Sequence, residues 1–136
     1  MTTAVSKGTG LPSFRGSFKT YDDDLITKQF HAAKLTSTGI VDFCTAATDL
    51  VIGIIDNVPY EGTGYPVDVI MLGEAKAHIG SGGCAVGQFL VSDGTGNLVA
   101  AAIGTTTSYV AVGQALEDAE ENDYARVFVH PCFMQV

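Results

Sequence analysis

The chain has 136 residues, enough for one domain, and 46% of them are hydrophobic, which supports a packed core and argues against global disorder. Its formal net charge is −8 with only 7 Lys and Arg residues. This argues against nucleic acid and anionic membranes as partners, because both are bound through clustered cations. The 16 glycines separate short runs rich in β-branched residues, a pattern typical of an all-β fold.

Neither a membrane span nor an export signal is expected. No segment approaches roughly 18 uninterrupted apolar residues, and the opening residues, MTTAVSKGTG, lack the hydrophobic stretch of a signal peptide. Cys44, Cys84 and Cys132 are widely spaced and odd in number, so each is expected to be a small buried apolar residue rather than half of a disulfide. We therefore expect a chain that is made in a cytoplasm and is soluble.

Residues 1–29 are predicted to form an N-terminal arm, followed by a β-rich domain over 30–136. The arm shows no sustained period of 2 or 3.6, yet it is too apolar for a mere tail. Its apolar residues include Leu11, Phe14, Phe18, Tyr21, Leu25 and Ile26. Such a segment cannot form a core alone, so we expect it to dock either on its own domain or on a partner subunit. Asp22–Asp24 is interpreted as a solvated turn or helix start, because three successive carboxylates do not converge on one cation without a shaped loop.

From Phe30 onward the sequence predicts strands joined by tight turns. The predicted strands are 30–35, 40–45, 50–55, 66–72, 74–79, 88–92, 98–103, 109–117 and 124–130. Thr36–Gly39 is predicted to turn the first hairpin, and DGTGN at 93–97 is among the clearest hairpin signals in the chain. The segment 50–55 is apolar enough to be buried on both faces.

The stretch 108–129 is echoed sixty residues earlier at 50–72, where Gly53 corresponds to Gly113 and Val69 to Val129. Both copies read as two apolar strands joined by a link. In the later copy the link is acidic and belongs to ALEDAEEND, residues 115–123. This stretch contains good helix formers but hardly any apolar stripe, so it is predicted to be a solvated hairpin end.

The sequence offers no pattern that supports catalysis or cofactor binding. His31, His78 and His130 lack the spacing of a metal motif, and His78 falls at an outward strand position. Cys132 lies near His130, but both sit on one short strand end without a third group to orient them. The Gly-rich pieces lack the phosphate-cradling Lys-Ser/Thr and are interpreted as turns. We predict no catalytic, cofactor or metal site, and a protein that is not an enzyme.

Several segments of 30–136 together resemble the small bacteriophage capsid cement (decoration) proteins of the DUF2190 type. The segments that carry the resemblance are Ile52–Ile55, Val67–Val69, Gly73–Ala77, Asp93–Gly96, Gly113–Glu117 and Arg126–Val129. They match in hydrophobic rhythm and glycine placement, and the arm lies outside the match.

The resemblance implies a homotrimer on the outside of an assembled phage head. It would bind at three-fold or quasi-three-fold positions, with the major capsid protein as partner, and would stabilise the capsid lattice. The localisation implied is the outer capsid surface of the virion. Composition and resemblance together predict an all-β fold, namely a compact β-barrel or sandwich (β-tulip-like) of short antiparallel strands with an extended N-terminal arm.

Six aromatic or Arg side chains are the candidates for contact with the shell or a neighbouring protomer, because such side chains supply most binding energy when desolvated. Phe14, Arg15, Phe18 and Tyr21 are the first choices, and Tyr60 and Tyr65 on the loop are the second. Neither nucleic acid, membrane nor a small-molecule substrate is expected as a partner. The alternatives left open are another virion component of the tail or connector, and a small carbohydrate- or ligand-binding β-barrel.

Overall fold

The computed structural model describes residues 13–102 and 108–134, which form nine β-strands and one 3-10 turn, Asp23–Thr27. The strands are β1 (Phe14–Thr20), β2 (Ala32–Ser37), β3 (Ile40–Phe43), β4 (Val51–Ile55), β5 (Pro66–His78), β6 (Phe89–Ser92), β7 (Leu98–Ala100), β8 (Tyr109–Ala115) and β9 (Tyr124–Met134). The predicted all-β fold is confirmed. Within the described residues, no helix has both the length and the apolar character needed to cross a membrane.

Five strands close into a small barrel. They follow the order β1-β3-β2-β4-β5, and β1 pairs with β5 over Phe14–Lys19, which returns the sheet onto itself. Neighbours in the barrel are antiparallel except β1 and β3, which run parallel. Closure leaves these strands without the free edges that pair with other chains.

Strand β5 belongs to both the barrel and a second sheet. Its first part pairs with β1 and β4, whereas Gly73–His78 pairs with β9 and begins the order β5-β9-β8-β6-β7. The prediction of two separate strands at 66–72 and 74–79 is wrong here, because β5 is one strand of 13 residues. Gly73 has φ +113, a backbone conformation that glycine adopts at little cost, and it lies where the strand changes partner.

Two hydrophobic clusters form the core. One receives side chains from all five barrel strands and from Leu25, and it fills the barrel interior. The other joins the outside of the barrel to the inner face of the second sheet. Ile54 and Ile55 are both fully buried but belong to different clusters, so β4 is buried on both faces, as predicted.

The described part of the N-terminal segment packs on its own domain, one of the two placements left open. Phe14–Thr20 is β1 of the barrel, and Leu25 of the 3-10 turn is completely buried. Asp22 caps that turn by accepting a hydrogen bond from the Asp24 N–H at 3.0 Å, which confirms that these acids form a helix start. Residues 1–12 of the predicted arm lie outside the described residues.

The predicted hairpins are confirmed at β2–β3 and β6–β7, and β8 pairs with β9 as the closing pair. The acidic stretch between β8 and β9 contains no helix and is largely exposed, as predicted, although Ala119 forms an isolated bridge with Cys84. The echo also has a structural counterpart, since β4–β5 and β8–β9 are both antiparallel pairs. Their registers differ, because Val69 lies opposite Ile55 whereas Val129 lies opposite Gly113.

Candidate partner interface

The loop 60–65, between β4 and β5, is tied to the end of β1 by hydrogen bonds centred on Thr20. The Thr20 hydroxyl is fully buried, donates to the Gly62 carbonyl at 2.7 Å and accepts from the Tyr65 N–H at 3.0 Å. The Thr20 N–H donates to the Tyr65 carbonyl at 2.8 Å, and its carbonyl accepts from the Gly64 N–H at 2.8 Å. Both backbone groups and the side chain of one residue therefore fix the loop.

Three tyrosines surround this anchor, and we call Tyr21, Tyr60 and Tyr65 the tyrosine end of the barrel. Their side chains are 50%, 77% and 43% exposed, respectively. The rings of Tyr60 and Tyr65 meet edge to face with centroids 5.8 Å apart. The Thr63 hydroxyl donates to the Tyr21 carbonyl at 3.2 Å, which connects Tyr21 to the same loop.

An exposed tyrosine on a fixed backbone is well suited to binding another protein. It offers a large amphipathic surface with only two side-chain torsions to order. The backbone of the loop is already ordered by Thr20, so less conformational entropy is lost when a partner binds. The tyrosine end is therefore the strongest candidate interface among the described residues.

Phe14 and Arg15 lie at the opposite end of β1. Phe14 is 68% exposed and pairs with the exposed Leu72 of β5, which makes a small apolar patch. Arg15 forms an ion pair with Asp56 and keeps half of its side chain exposed. A strand of seven residues spans roughly 20 Å. The candidates thus divide into two patches at the two ends of one strand.

Phe18 lies between these patches and is half-buried, because its ring packs against the barrel core. It still lines a shallow groove of about 420 Å³ together with Ile40, Gly64 and Pro66. This groove reaches the tyrosine loop through Gly64. Phe18 therefore combines a structural role with a limited surface that a partner could contact.

The histidines and cysteines are placed as follows. The fold stacks His31 on His78, with ring centroids 5.2 Å apart and planes 9° from parallel, a proximity that the sequence did not indicate. The Cys132 sulfur lies 3.9 Å from Nδ1 of His130. Cys44 is buried, and desolvation raises the pKa of its thiol to about 12, whereas Cys84 and Cys132 are only half-buried. Within 13–102 and 108–134, no three His, Cys, Asp or Glu side chains are grouped to hold a metal ion.

No protein-family model and no curated protein matches the chain. Among solved structures, it is similar to the head fiber gp8.5 N base of bacteriophage phi29, with a TM-score of 0.65 and 16% sequence identity. The similarity covers 86% of this chain and 95% of that chain. At this identity the likeness shows a shared fold, and the DUF2190 resemblance stays a prediction.

Proposed function

We propose that the chain is a phage virion structural protein that binds the outside of the assembled head. The observation that supports this best is the fold shared with the phi29 head fiber base, which extends over 95% of that chain. The similarity therefore includes almost the whole of a head-fiber base rather than a barrel motif within it. The resemblance to capsid cement proteins, reached from the sequence, suggests the same location.

The finer proposal is a homotrimer at three-fold or quasi-three-fold positions that holds neighbouring major capsid protein subunits together. Three linked copies convert weak single contacts into durable attachment, because the second and third contacts form at high effective concentration. In a closed ring of identical subunits, every interface surface is also paired with its partner surface. The acidic character of the chain, −8 overall, suits a position away from packaged DNA.

The tyrosine end is the surface proposed to meet the head. Tyr21, Tyr60 and Tyr65 are exposed, preorganised and adjacent, and tyrosine is among the side chains enriched in binding hot spots. Phe14 and Arg15 are assigned to the second contact, with a neighbouring protomer or the shell. The expected absence of catalysis and of cofactors belongs to the same proposal.

The direct test is to mix the purified chain with expanded heads of its own phage prepared without it, and to image the particles by cryo-electron microscopy. The proposal expects density at the three-fold or quasi-three-fold positions of the outer shell. Density confined to the tail or the connector would support the alternative virion role. Absence of the chain from heads at saturating concentration would overturn the proposal.

The arm is tested by deletion of residues 1–12 rather than of a longer segment, because β1 closes the barrel and its loss would damage the fold. Head binding weaker than that of the full chain would support an arm contact. Equal binding would leave attachment to the folded domain. The trimer is tested separately by light scattering at micromolar concentration, where a monomer mass would contradict it.

A further inference from the structure

A second surface, which none of the three tyrosines lines, is an open groove of about 570 Å³. It is bounded by the segment that follows the 3-10 turn, the tip of the β6–β7 hairpin and the start of β9. The lining residues used below are Lys28, Phe30, His31, His78, Asn97 and Tyr124. None of them belongs to the tyrosine end.

Phe30, in the wall of the groove, has a strained backbone conformation. Its φ is +71, which is rare for a bulky side chain. Two hydrogen bonds maintain it: the Phe30 N–H donates to the Ile55 carbonyl at 2.7 Å, and the His78 N–H donates to the Phe30 carbonyl at 2.9 Å. Strain of this kind is concentrated at binding sites, where the surrounding structure imposes it.

The two stacked imidazoles have a defined tautomer. Nδ1 of His31 lies 3.0 Å from the Gln29 carbonyl, an acceptor, so this nitrogen carries the proton. Nδ1 of His78 lies 2.7 Å from the amide oxygen of Asn97, whose amide nitrogen donates to Asp93 at 3.2 Å. In the neutral rings each Nε2 is therefore a lone-pair acceptor, and neither has a hydrogen-bond partner within the described residues.

Lys28 lines this groove, and Lys76 lies next to it against the rings of Phe30 and Tyr124; within the described chain neither lysine has an ion pair within 4 Å. Lys28 Nζ donates to the Thr95 carbonyl at 3.0 Å and lies 4.2 Å from the ring centre of Phe43. Lys76 Nζ lies 5.3 Å from the ring centre of Phe30 and 5.6 Å from that of Tyr124. The rings hold both cations in place.

Within the described residues, the nearby carboxylate of Asp93 forms no ion pair with either lysine. It accepts hydrogen bonds from the N–H groups of Thr95 and Asn97, from the Thr95 hydroxyl and from the Asn97 amide. It is thus engaged in shaping the hairpin tip. In a protein of net charge −8, one ammonium group in a groove and a second beside it, both without an ion pair within the described residues, are a local exception.

From this arrangement we infer that the groove binds an acidic peptide segment of a partner protein. Carboxylates of the segment pair with Lys28 and Lys76, and its backbone N–H groups donate to Nε2 of His31 and His78. A sugar fits less well, because Lys76 already lies against the rings of Phe30 and Tyr124 that a sugar would stack on. This inference is independent of attachment to the head.

The test uses a fluorescein-labelled hexaglutamate peptide and fluorescence anisotropy at low salt. The wild-type chain is expected to bind it saturably and to bind hexaglutamine at least about tenfold more weakly, since the charged contacts are lost. The double variant Lys28→Met/Lys76→Met keeps the apolar stems and should lose at least about tenfold in affinity. Lys19→Met is the matched control, because within the described residues Lys19 is exposed, lacks an ion pair, and neither lines the groove nor lies against its rings.

A second measurement follows the histidine ring signals by NMR during titration of the wild-type chain with hexaglutamate. Signals of His31 and His78 should shift, and those of His130 should not. The inference is overturned if hexaglutamate does not bind, if the double variant binds it as wild type does, or if Lys19→Met weakens binding equally. Competition by free glutamate at the same carboxylate concentration would likewise overturn the assignment to a peptide.

Discussion

The hairpins β4–β5 and β8–β9 each contain a glycine in close contact with the neighbouring strand, but the loops that connect their strands differ in character. A Cβ at Gly53 would collide with the Ile70 carbonyl, and a Cβ at Gly113 with the Phe128 carbonyl. In both pairs a glycine therefore permits close approach of the next strand. The loop of the first hairpin is held by hydrogen bonds from Thr20 and exposes tyrosines, whereas the loop of the second exposes carboxylates. The glycine contacts belong to the packing of the strands, whereas the connecting loops determine which side chains each hairpin presents to a partner.

The largest expected effect comes from filling these two glycine positions. Gly53→Ala and Gly113→Ala each place a methyl group against a backbone carbonyl that cannot rotate away. Overpacking of this kind should cost about 3 kcal/mol or more of unfolding free energy, a large share of a domain's stability. Urea unfolding followed by circular dichroism measures it.

The control for this pair is Gly94→Ala, because a Cβ at Gly94 meets open space and Gly94 lacks a positive φ. It should leave stability unchanged or raise it slightly. If Gly53→Ala is as stable as Gly94→Ala while Gly113→Ala unfolds, only the second hairpin requires a glycine at its strand contact.

The next largest effect is expected at Thr20, which anchors the tyrosine loop 60–65 by hydrogen bonds that the acidic loop of the second hairpin is not expected to need. Thr20→Val preserves shape but removes the hydroxyl that bonds Gly62 and Tyr65. The partly buried hydrogen bonds to the Gly62 carbonyl and from the Tyr65 N–H are then lost, which should cost about 1 kcal/mol. Thr36→Val, at an exposed hydroxyl with a weak 3.4 Å bond, is the control. Faster hydrogen exchange at the Tyr65 amide in Thr20→Val alone would confirm the loop anchor, and unchanged exchange would contradict it.

An intermediate effect depends on pH. Burial, followed by the positive charge of Lys28 and the neighbouring His78, lowers the pKa of His31 from its usual value of 6.5. The folded chain then binds fewer protons than the unfolded chain, so stability falls as pH drops below about 6.5 and levels off below the folded pKa. The urea midpoint should fall less steeply between pH 7 and pH 5 in His31→Gln than in wild type. Identical slopes would exclude His31 as a source of acid sensitivity.

The smallest effect is expected at the acidic end of the second hairpin. Glu120→Gln combined with Glu121→Gln removes two exposed charges. Surface substitutions of this kind change stability by less than about 0.5 kcal/mol. A thermal melt shifted by no more than one or two degrees would agree, whereas a loss comparable to Thr20→Val would show that the acidic end is structural after all.

Much of the strand order along the chain was predictable, but β1 was not. The hairpin at DGTGN follows from turn chemistry that is local, and β4 follows from its continuous apolar run. In β1, the face that turns toward the barrel reads Gly16, Phe18 and Thr20, so a glycine and a threonine hide the alternation. Position 16 favours glycine because the Phe18 ring lies over it, and a Cβ there would come within 2.6 Å of the ring. Such a contact is visible only in three dimensions.

The candidate surfaces were predictable in their tyrosines and not in what positions them. Tyr60 and Tyr65 stand out in a turn-rich link, but Thr20 is an ordinary residue until its partner 42 positions away is known. The stack of His31 on His78 likewise joins residues that are far apart in sequence, because the His78 N–H donates to the carbonyl of Phe30, the residue before His31. Nothing in the local sequence marks such pairs.

The comparison of the two hairpins leads to one decisive measurement, the binding of variants to expanded, undecorated heads. Tyr60→Ser/Tyr65→Ser should weaken binding by roughly 30-fold or more, as expected for a pair of hot-spot residues. Glu120→Gln/Glu121→Gln should bind as wild type does. The proposal that the tyrosine end attaches the protein to the head would be contradicted if the tyrosine variant bound normally while neutralising the acidic end abolished binding.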